Sequence, residues 1–152
     1  MPPRTAVPGS TVVRDDLQPA TLELLDRAEC ERLLRHASVG RVAVNRRGHG
    51  PLVVPVNYVV DDAGRIVFRS DSGAKLARVT RGAVAFQVDE FDHDRATGWS
   101  VLVDGMAHEV DPERGAAAAV EPWLQGPMAH AVRIVPTHVT GRRLRRGQDL
   151  LL

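Results

Sequence analysis

The stretch 53–75 reads VVPVNYVVDDAGRIVFRSDSGAK, and it decides the fold that we predict for this chain. Two runs rich in valine, isoleucine and aromatic residues, Leu52–Val60 and Arg65–Ser70, flank the turn 61–64, DDAG. Such side chains favour a pleated, half-buried surface, and aspartate and glycine adopt turn conformations readily. The stretch therefore predicts a β-hairpin.

A short polar loop follows the hairpin and includes two cations, Arg69 and Lys75, with two serines and a glycine between them. Arginine offers a bidentate fork, lysine a point charge, and Ser70 and backbone N–H groups further donors, so the loop could surround a phosphate. Lys75 is the only lysine in the chain. The alternative interpretation is a solvated loop between a strand and a helix.

Composition excludes several classes of protein. The 152 residues suit one domain, and a formal net charge of +1 argues against a nucleic-acid-binding surface. A single cysteine, Cys30, excludes an internal disulfide and a cysteine-based zinc site, and fits a reducing cytoplasm. No stretch approaches the roughly 20 apolar residues of a membrane span. The six histidines show no HExxH pairing, so we expect no metal site.

The rest of the chain predicts one domain over 21–143, between a loose leader (1–20) and a basic tail (144–152). The pattern indicates a mainly β fold with two or three peripheral helices. Its six or seven antiparallel strands, joined mostly by short turns, favour a small barrel. Outside the hairpin the sequence predicts helices over 26–36, 73–80 and 112–120. It predicts strands over 11–14, 39–44, 83–89, 98–111, 131–136 and 138–142, with a kink or bulge near Gly105 in the strand over 98–111.

Motifs of common enzymes are absent from the sequence. No GxGxxG, GxxxxGK[ST] or GxSxG pattern occurs, so Rossmann, P-loop and serine-hydrolase readings are poor. Beside the phosphate-binding loop, Asn57 offers a donor and an acceptor and Tyr58 an aromatic face that a planar heterocycle could use. A second cluster of polar and aromatic residues is Thr97–Ser100, in which Trp99 could equally anchor the core.

Five segments, taken in order and spacing, resemble the pyridoxamine 5′-phosphate oxidase-like flavin-binding proteins, and more narrowly their short actinobacterial-type members. The similarity covers about residues 22–143. The segments are GRVAV (40–44), PLVVPVNYVV (51–60), GRIVFRSDSGAKL (64–76), VAFQVDEFD (84–92) and TGWSVLVDGMA (97–107).

The resemblance implies a split β-barrel that forms a homodimer with FMN in two symmetric clefts between the subunits. It implies that the strand Pro55–Tyr58 lies along the flavin ring, that the end of the next strand and the loop after it bind the phosphate, and that Trp99-Ser100 reaches the flavin from the partner subunit. It names no catalytic acid, base or nucleophile. The residues so marked as cofactor-binding are Pro55, Val56, Asn57, Tyr58, Phe68, Arg69, Ser70, Lys75, Trp99 and Ser100.

The sequence departs from the true oxidases at its end, because it lacks their C-terminal section with the tryptophan and arginine residues that grip pyridoxal. The substrate therefore stays open, and the leading prediction is an FMN-dependent oxidoreductase acting on a small molecule. One alternative is a reductase that uses the deazaflavin F420, whose long anionic tail needs a basic groove that Arg41, Arg46, Arg47 or Arg142–Arg146 could line. The others are a non-enzymatic flavin- or haem-binding protein and a scaffold without a cofactor.

Overall fold

The predicted mainly β barrel with few helices is confirmed. The computed structural model describes residues 19–70, 80–123, 126 and 128–147, and seven antiparallel strands in these residues form one sheet. The strands are β1 Thr21–Leu25, β2 Val39–Val44, β3 Leu52–Val60, β4 Ile66–Ser70, β5 Gly82–Asp92, β6 Thr97–Val110 and β7 His130–Arg145.

Six of the strands close into a barrel, and the seventh is added at its side. The order is β1-β7-β4-β3-β2-β5-β6, and β6 pairs back onto β7. Because this last pairing closes the ring, β1 lies outside it and pairs with the C-terminal half of β7. Closure leaves the barrel strands without free edges, the usual liability of an open sheet.

Alternation along the strands fills the interior of the barrel. In β2, β5 and β6 every second residue points inward and is buried. Tyr58 and Phe86 meet edge to face in this core, with ring centroids 4.9 Å apart. The largest fully buried side chains are Phe68, Phe86, Ile66, Ile134, Val42, Val88, Val101, Val103 and Val132.

One helix, α1 (Arg27–His36), packs against the barrel as predicted. Asp26 is its N-cap, and the Asp26 carboxylate accepts a hydrogen bond from the Glu29 backbone N–H at 2.8 Å. Cys30 is buried as a small apolar side chain. No helix in the described residues combines the length and hydropathy that a membrane span requires.

The helix predicted over 112–120 is shorter and of another type, since only Gly115–Ala119 is helical and forms a 3₁₀ helix. Gly115 has φ of +56°, a left-handed conformation that cannot belong to a right-handed helix starting at 112. The segment covers a second apolar cluster on the outside of the sheet, made by Val67, Ala117, Val120 and Ala131.

Strand boundaries also differ from the predictions at three places. The strand β1 was not predicted, β5 extends three residues further than expected, and β7 is one strand rather than two. The irregularity predicted near Gly105 is found, since the register between β6 and β7 shifts between Asp104 and Gly105, but the extra residue, Thr137, belongs to β7. The predicted strand over 11–14 and nearly all of the predicted helix over 73–80 lie outside the described residues.

Candidate functional site

Two polar side chains predicted to bind the cofactor, Asn57 and Arg69, lie side by side on the outer face of the barrel. Tyr58 pairs with Phe68, and both of these side chains are buried in the core. Because side chains alternate along a strand, the flanking residues Asn57 and Arg69 point to the opposite side. The hairpin thus places an amide and a guanidinium together at the end of β4.

The segment after the 3₁₀ helix is fastened onto these two side chains. Arg69 donates from Nε and Nη2 to the Met128 carbonyl oxygen, at 3.1 and 2.7 Å. The Asn57 Oδ1 accepts from the Trp123 backbone N–H at 2.9 Å. The carboxylate of Glu113 lies 3.6 Å from the Arg69 Nη2, but it is largely exposed and screened by water. The Arg69 Nη1 edge is not used by any of these contacts.

Sequence reasoning missed Trp123, whose side chain is 75% exposed beside Asn57. The only signal in the sequence was a large aromatic residue in the irregular segment between Pro122 and Gly126. This signal is weak, because single exposed apolar side chains are common on protein surfaces.

Charged residues also lie near the ends of the predicted phosphate-binding loop. Ser70 is buried at the end of β4 and pairs with His130. The His130 Nδ1 lies 3.2 Å from Glu109, and Arg81 donates to the same carboxylate at 2.9 Å. These two partners hold the pKa of Glu109 below its usual value, His130 having the larger effect. Lys75 lies outside the described residues, so its part in the loop stays a prediction.

Three of the predicted residues, Val56, Tyr58 and Phe68, have side chains in the core. The Tyr58 hydroxyl donates to the Leu34 carbonyl oxygen at 2.5 Å, and burial raises the pKa of Tyr58. Only the backbone of these residues is in a position to border a ligand on the outer face. Pro55, by contrast, is exposed on that face.

The second predicted cluster lies elsewhere on the same barrel. Ser100 pairs with Asp89 and Arg142, and Trp99 packs against the core. Trp99, Ser100 and Arg142 line a cleft of about 190 Å³. The strands β2 and β5 separate β3 from β6, so three strand spacings, roughly 14 Å, lie between the Asn57 strand and the Ser100 strand. Within one chain the two clusters do not meet.

Between the clusters runs a polar strip of which the sequence analysis named only Arg41, as part of a possible groove for the F420 tail. Arg41 pairs with Pro55 on one side and Gln87 on the other. The Gln87 amide donates to Asp89 at 2.7 Å, and the Arg41 Nη1 lies 3.4 Å from the same carboxylate. These are the outward positions of otherwise apolar strands, and the alternation in GRVAV and AVAFQVD was the signal that could have found them.

The family model for pyridoxamine 5′-phosphate oxidase matches residues 26–143. The chain belongs to the pyridoxamine 5′-phosphate oxidase family. The matched range begins at the N-cap of α1 and ends two residues before the end of β7. It therefore contains the closed barrel except for the last two residues of β7.

Related proteins support this membership. The uncharacterized protein Rv0080 of Mycobacterium tuberculosis is 40% identical over 129 residues, which are 79% of this chain and 84% of that protein. The FAD-binding protein of Mycobacterium smegmatis is 32% identical with a TM-score of 0.64, over 82% of this chain and all of that one. A FAD-binding protein from Mesorhizobium loti is 27% identical with a TM-score of 0.68, over 84% and 99% of the two chains.

The geometry of the site suits binding better than acid–base chemistry. The side chains that meet around Asn57 and Arg69 are an amide and a guanidinium, flanked by backbone groups, and such groups bind ligands rather than act as general acids or bases. No group of three potential metal ligands occurs in the described part of the chain. What the outer face offers is a cation for an anionic group and a flat strand surface beside it.

Proposed function

We propose that this member of the pyridoxamine 5′-phosphate oxidase family binds a flavin nucleotide, FMN being the predicted form, and acts as an oxidoreductase on a small molecule. The observation that carries the proposal is the position of Arg69 and Asn57 on the outer face, where they flank the paired residues Tyr58 and Phe68. The relatives from Mycobacterium smegmatis and Mesorhizobium loti, which bind FAD, support a flavin. FMN and FAD share the ring and the phosphate nearest to it.

The residues present fit a flavin phosphate. Arg69 is anchored through Nε and Nη2 to Met128, so its direction is fixed, and no contact within the described residues uses Nη1, which would bind a phosphate oxygen. An anchored guanidinium loses little conformational entropy when it binds an anion. Glu113 would have to turn away, at little cost because it is exposed. Ser70 and Lys75 complete the proposed phosphate site.

The bound flavin would supply hydride or electron transfer at its ring, and the protein would supply binding, orientation and electrostatics. Asn57 accepts a hydrogen bond from Trp123 through Oδ1, which leaves its Nδ2 to donate to a ring carbonyl. A donor there stabilises negative charge that develops on the ring. Pro55 and the backbone around it border the flat surface of the ring.

The substitution Arg69→Met tests the phosphate assignment. We expect it to weaken FMN binding about 10- to 100-fold, the usual value of a charge-assisted hydrogen bond, and riboflavin binding less than about twofold. Arg65→Met is the matched control, since Arg65 flanks the other end of β4 and pairs with Asp61. Affinities are measured by quenching of flavin fluorescence.

Three outcomes would contradict the proposal. Equal weakening of FMN and riboflavin in Arg69→Met would remove the phosphate assignment. Binding of F420 or haemin with no response to FMN or FAD would replace the cofactor. Absence of any flavin response in the unaltered protein would leave the fold without this function. Chromatography of the flavin released by heating distinguishes FMN from FAD.

The predicted homodimer is the second part of the proposal, because a ring bound near Asn57 needs a wall that one chain does not provide. Mixed dimers of Arg69→Met and Ser100→Trp subunits test it. If each cleft combines Arg69 of one chain with Ser100 of the other, the mixed dimer keeps one intact cleft. It then binds one FMN per dimer, which is half an equivalent per chain. If each cleft belongs to one chain, both are damaged. A monomer that binds FMN tightly would also refute the model.

A further inference from the structure

A second cavity lies on the outer face, away from the proposed flavin site. Its volume is about 390 Å³, within the range of roughly 300–1,000 Å³ of small-molecule sites. None of the residues predicted to bind the flavin lines it. Its lining comes from the β3–β4 turn, β4, the end of β6, the 3₁₀ helix and β7, and includes Arg65, Val67, Val110, Arg114, Ala117 and Arg133.

Arg133 is the unusual residue of this cavity. Its Nε is buried, and among the buried side-chain nitrogen and oxygen atoms of the described residues it is the one without a hydrogen-bond partner. Arg133 pairs with Val67 on one side and with His108 on the other, so it stands in the middle of three strands. A buried donor without a partner costs stability, and such a cost is typical of a functional position.

Most of the other charges of the cavity are paired. Arg65 donates to Asp61 at 2.7 Å, and this pairing helps to lower the pKa of Asp61. Arg114 lies 3.5 Å from Asp111. The remaining carboxylate, Asp62, is exposed in the turn. Among the cations that line the cavity, Arg133 is the one without an ion pair in the described residues.

We propose that this cavity binds a small molecule with an apolar body and one anionic group, a carboxylate or a phosphate, and that Arg133 binds the anion. Val67, Val110 and Ala117 form an apolar wall for the body of the ligand. A planar guanidinium matches both kinds of anion through paired N–H donors. The proposal does not depend on the flavin, because the two sites share no residue.

The test uses benzoate and phenyl phosphate as probes, benzamide as the neutral control, and amide chemical shifts of the full-length protein. We expect at least one of the two anions to shift the amides of Val67, Val110 and Ala117 saturably, and benzamide to bind at least tenfold more weakly. Arg133→Met should weaken the anion at least tenfold. Arg69→Met, the control for phosphate binding at the flavin site, should change the affinity less than twofold.

The proposal is overturned if neither anion shifts these amides, if benzamide binds as well, or if Arg133→Met keeps the affinity. Arg133→Met should fold at least as stably as the unaltered protein, since it removes the unpaired donor, and circular dichroism with urea unfolding checks this. Arg133→Gln is the second variant and should lose the anion equally. Retained affinity in either folded variant counts against the assignment.

Discussion

Gly40 should tolerate no side chain, because the ring of Phe86 occupies the space above it. A Cβ on Gly40 would lie 2.2 Å from the Phe86 Cζ and 2.8 Å from both Cε atoms. The ring would have to recede by about 1.2 Å to reach ordinary van der Waals contact. It has little room, since Phe86 is fully buried and packs edge to face on Tyr58.

We expect Gly40→Ala to lower the free energy of unfolding by about 2–3 kcal/mol, at the upper end of the cost of overpacking. The gain from a stiffer unfolded chain, about 0.4–1 kcal/mol, offsets only part of the clash. The assay is urea unfolding, in which this loss lowers the midpoint by about 1 M. Gly50→Ala is the matched control, because nothing lies within 4 Å of its Cβ position.

A stability of Gly40→Ala within about 0.5 kcal/mol of the unaltered protein, at an unchanged urea slope, would refute the reasoning. A double-mutant cycle with Phe86→Leu checks the cause. Leucine lacks the Cζ that makes the clash, so the pair should be less destabilised than the sum of the single changes by about 1 kcal/mol or more. Simple additivity would show that Phe86 is not the obstacle.

Two further predictions concern hydrogen-bonded side chains of the fold. Tyr58→Phe should lower the free energy of unfolding, measured with urea, by about 1–3 kcal/mol, because it leaves the Leu34 carbonyl in the last turn of α1 without its partner. Burial raises the pKa of Tyr58, so above about pH 10 the tyrosine of the unfolded chain ionises first and the unaltered protein should lose stability. The Tyr58→Phe variant should lose less stability over the same pH range. Hydrogen bonds from Arg32 and Arg143 lower the pKa of Glu29 from 4.5 to about 2, so the folded state binds fewer protons than the unfolded state between these values. The stability that Glu29 contributes should be complete above pH 4.5 and disappear as the pH falls to about 2, and urea unfolding of Glu29→Gln across this range should show a weaker dependence on pH.

The sequence predicted the elements that local chemistry determines. Alternating apolar residues and the DDAG turn predicted β3 and β4 almost to the residue, and Gly105 predicted the place where the β6–β7 pairing is irregular. The predictions failed where the structure depends on pairing between residues far apart in the sequence. β1 is an exposed run, TLELL, that becomes a strand because β7 lies beside it 116 or more residues later.

The proline in β7 shows how tertiary pairing overrides a local signal. Pro136 has no N–H to donate, and the sequence analysis ended one predicted strand at this residue and placed another over 138–142. In the structure Pro136 pairs with Gly105 and His138 with Asp104, so Thr137 is an extra residue of β7 at the register shift. One strand thus runs through the proline, and the irregularity predicted near Gly105 lies at the same point of the β6–β7 pairing.

The candidate site was predictable only in part for a similar reason. The sequence places Arg69 and Asn57 at neighbouring positions of one hairpin, so their juxtaposition on the outer face follows from register. The contacts of Met128 and Trp123 with these side chains join residues about 60 positions apart, and no local pattern encodes them. The polar strip of Arg41, Gln87 and Asp89 likewise needs the order of the strands.

The packed interior limits where a planar cofactor can bind. A barrel of six strands has room inside only for its own side chains, and here Phe68, Phe86 and Tyr58 fill it. A ligand the size of a flavin would therefore bind on the outer face, where a sheet surface covers one side of the ring and leaves the other to water. In the proposed dimer the partner chain would supply the second wall, because three strand spacings, roughly 14 Å along the sheet, separate the strand of Asn57 from that of Ser100. This is the physical argument for a cleft shared by two copies of the chain, and the half-equivalent of FMN expected in the mixed dimer is its direct consequence.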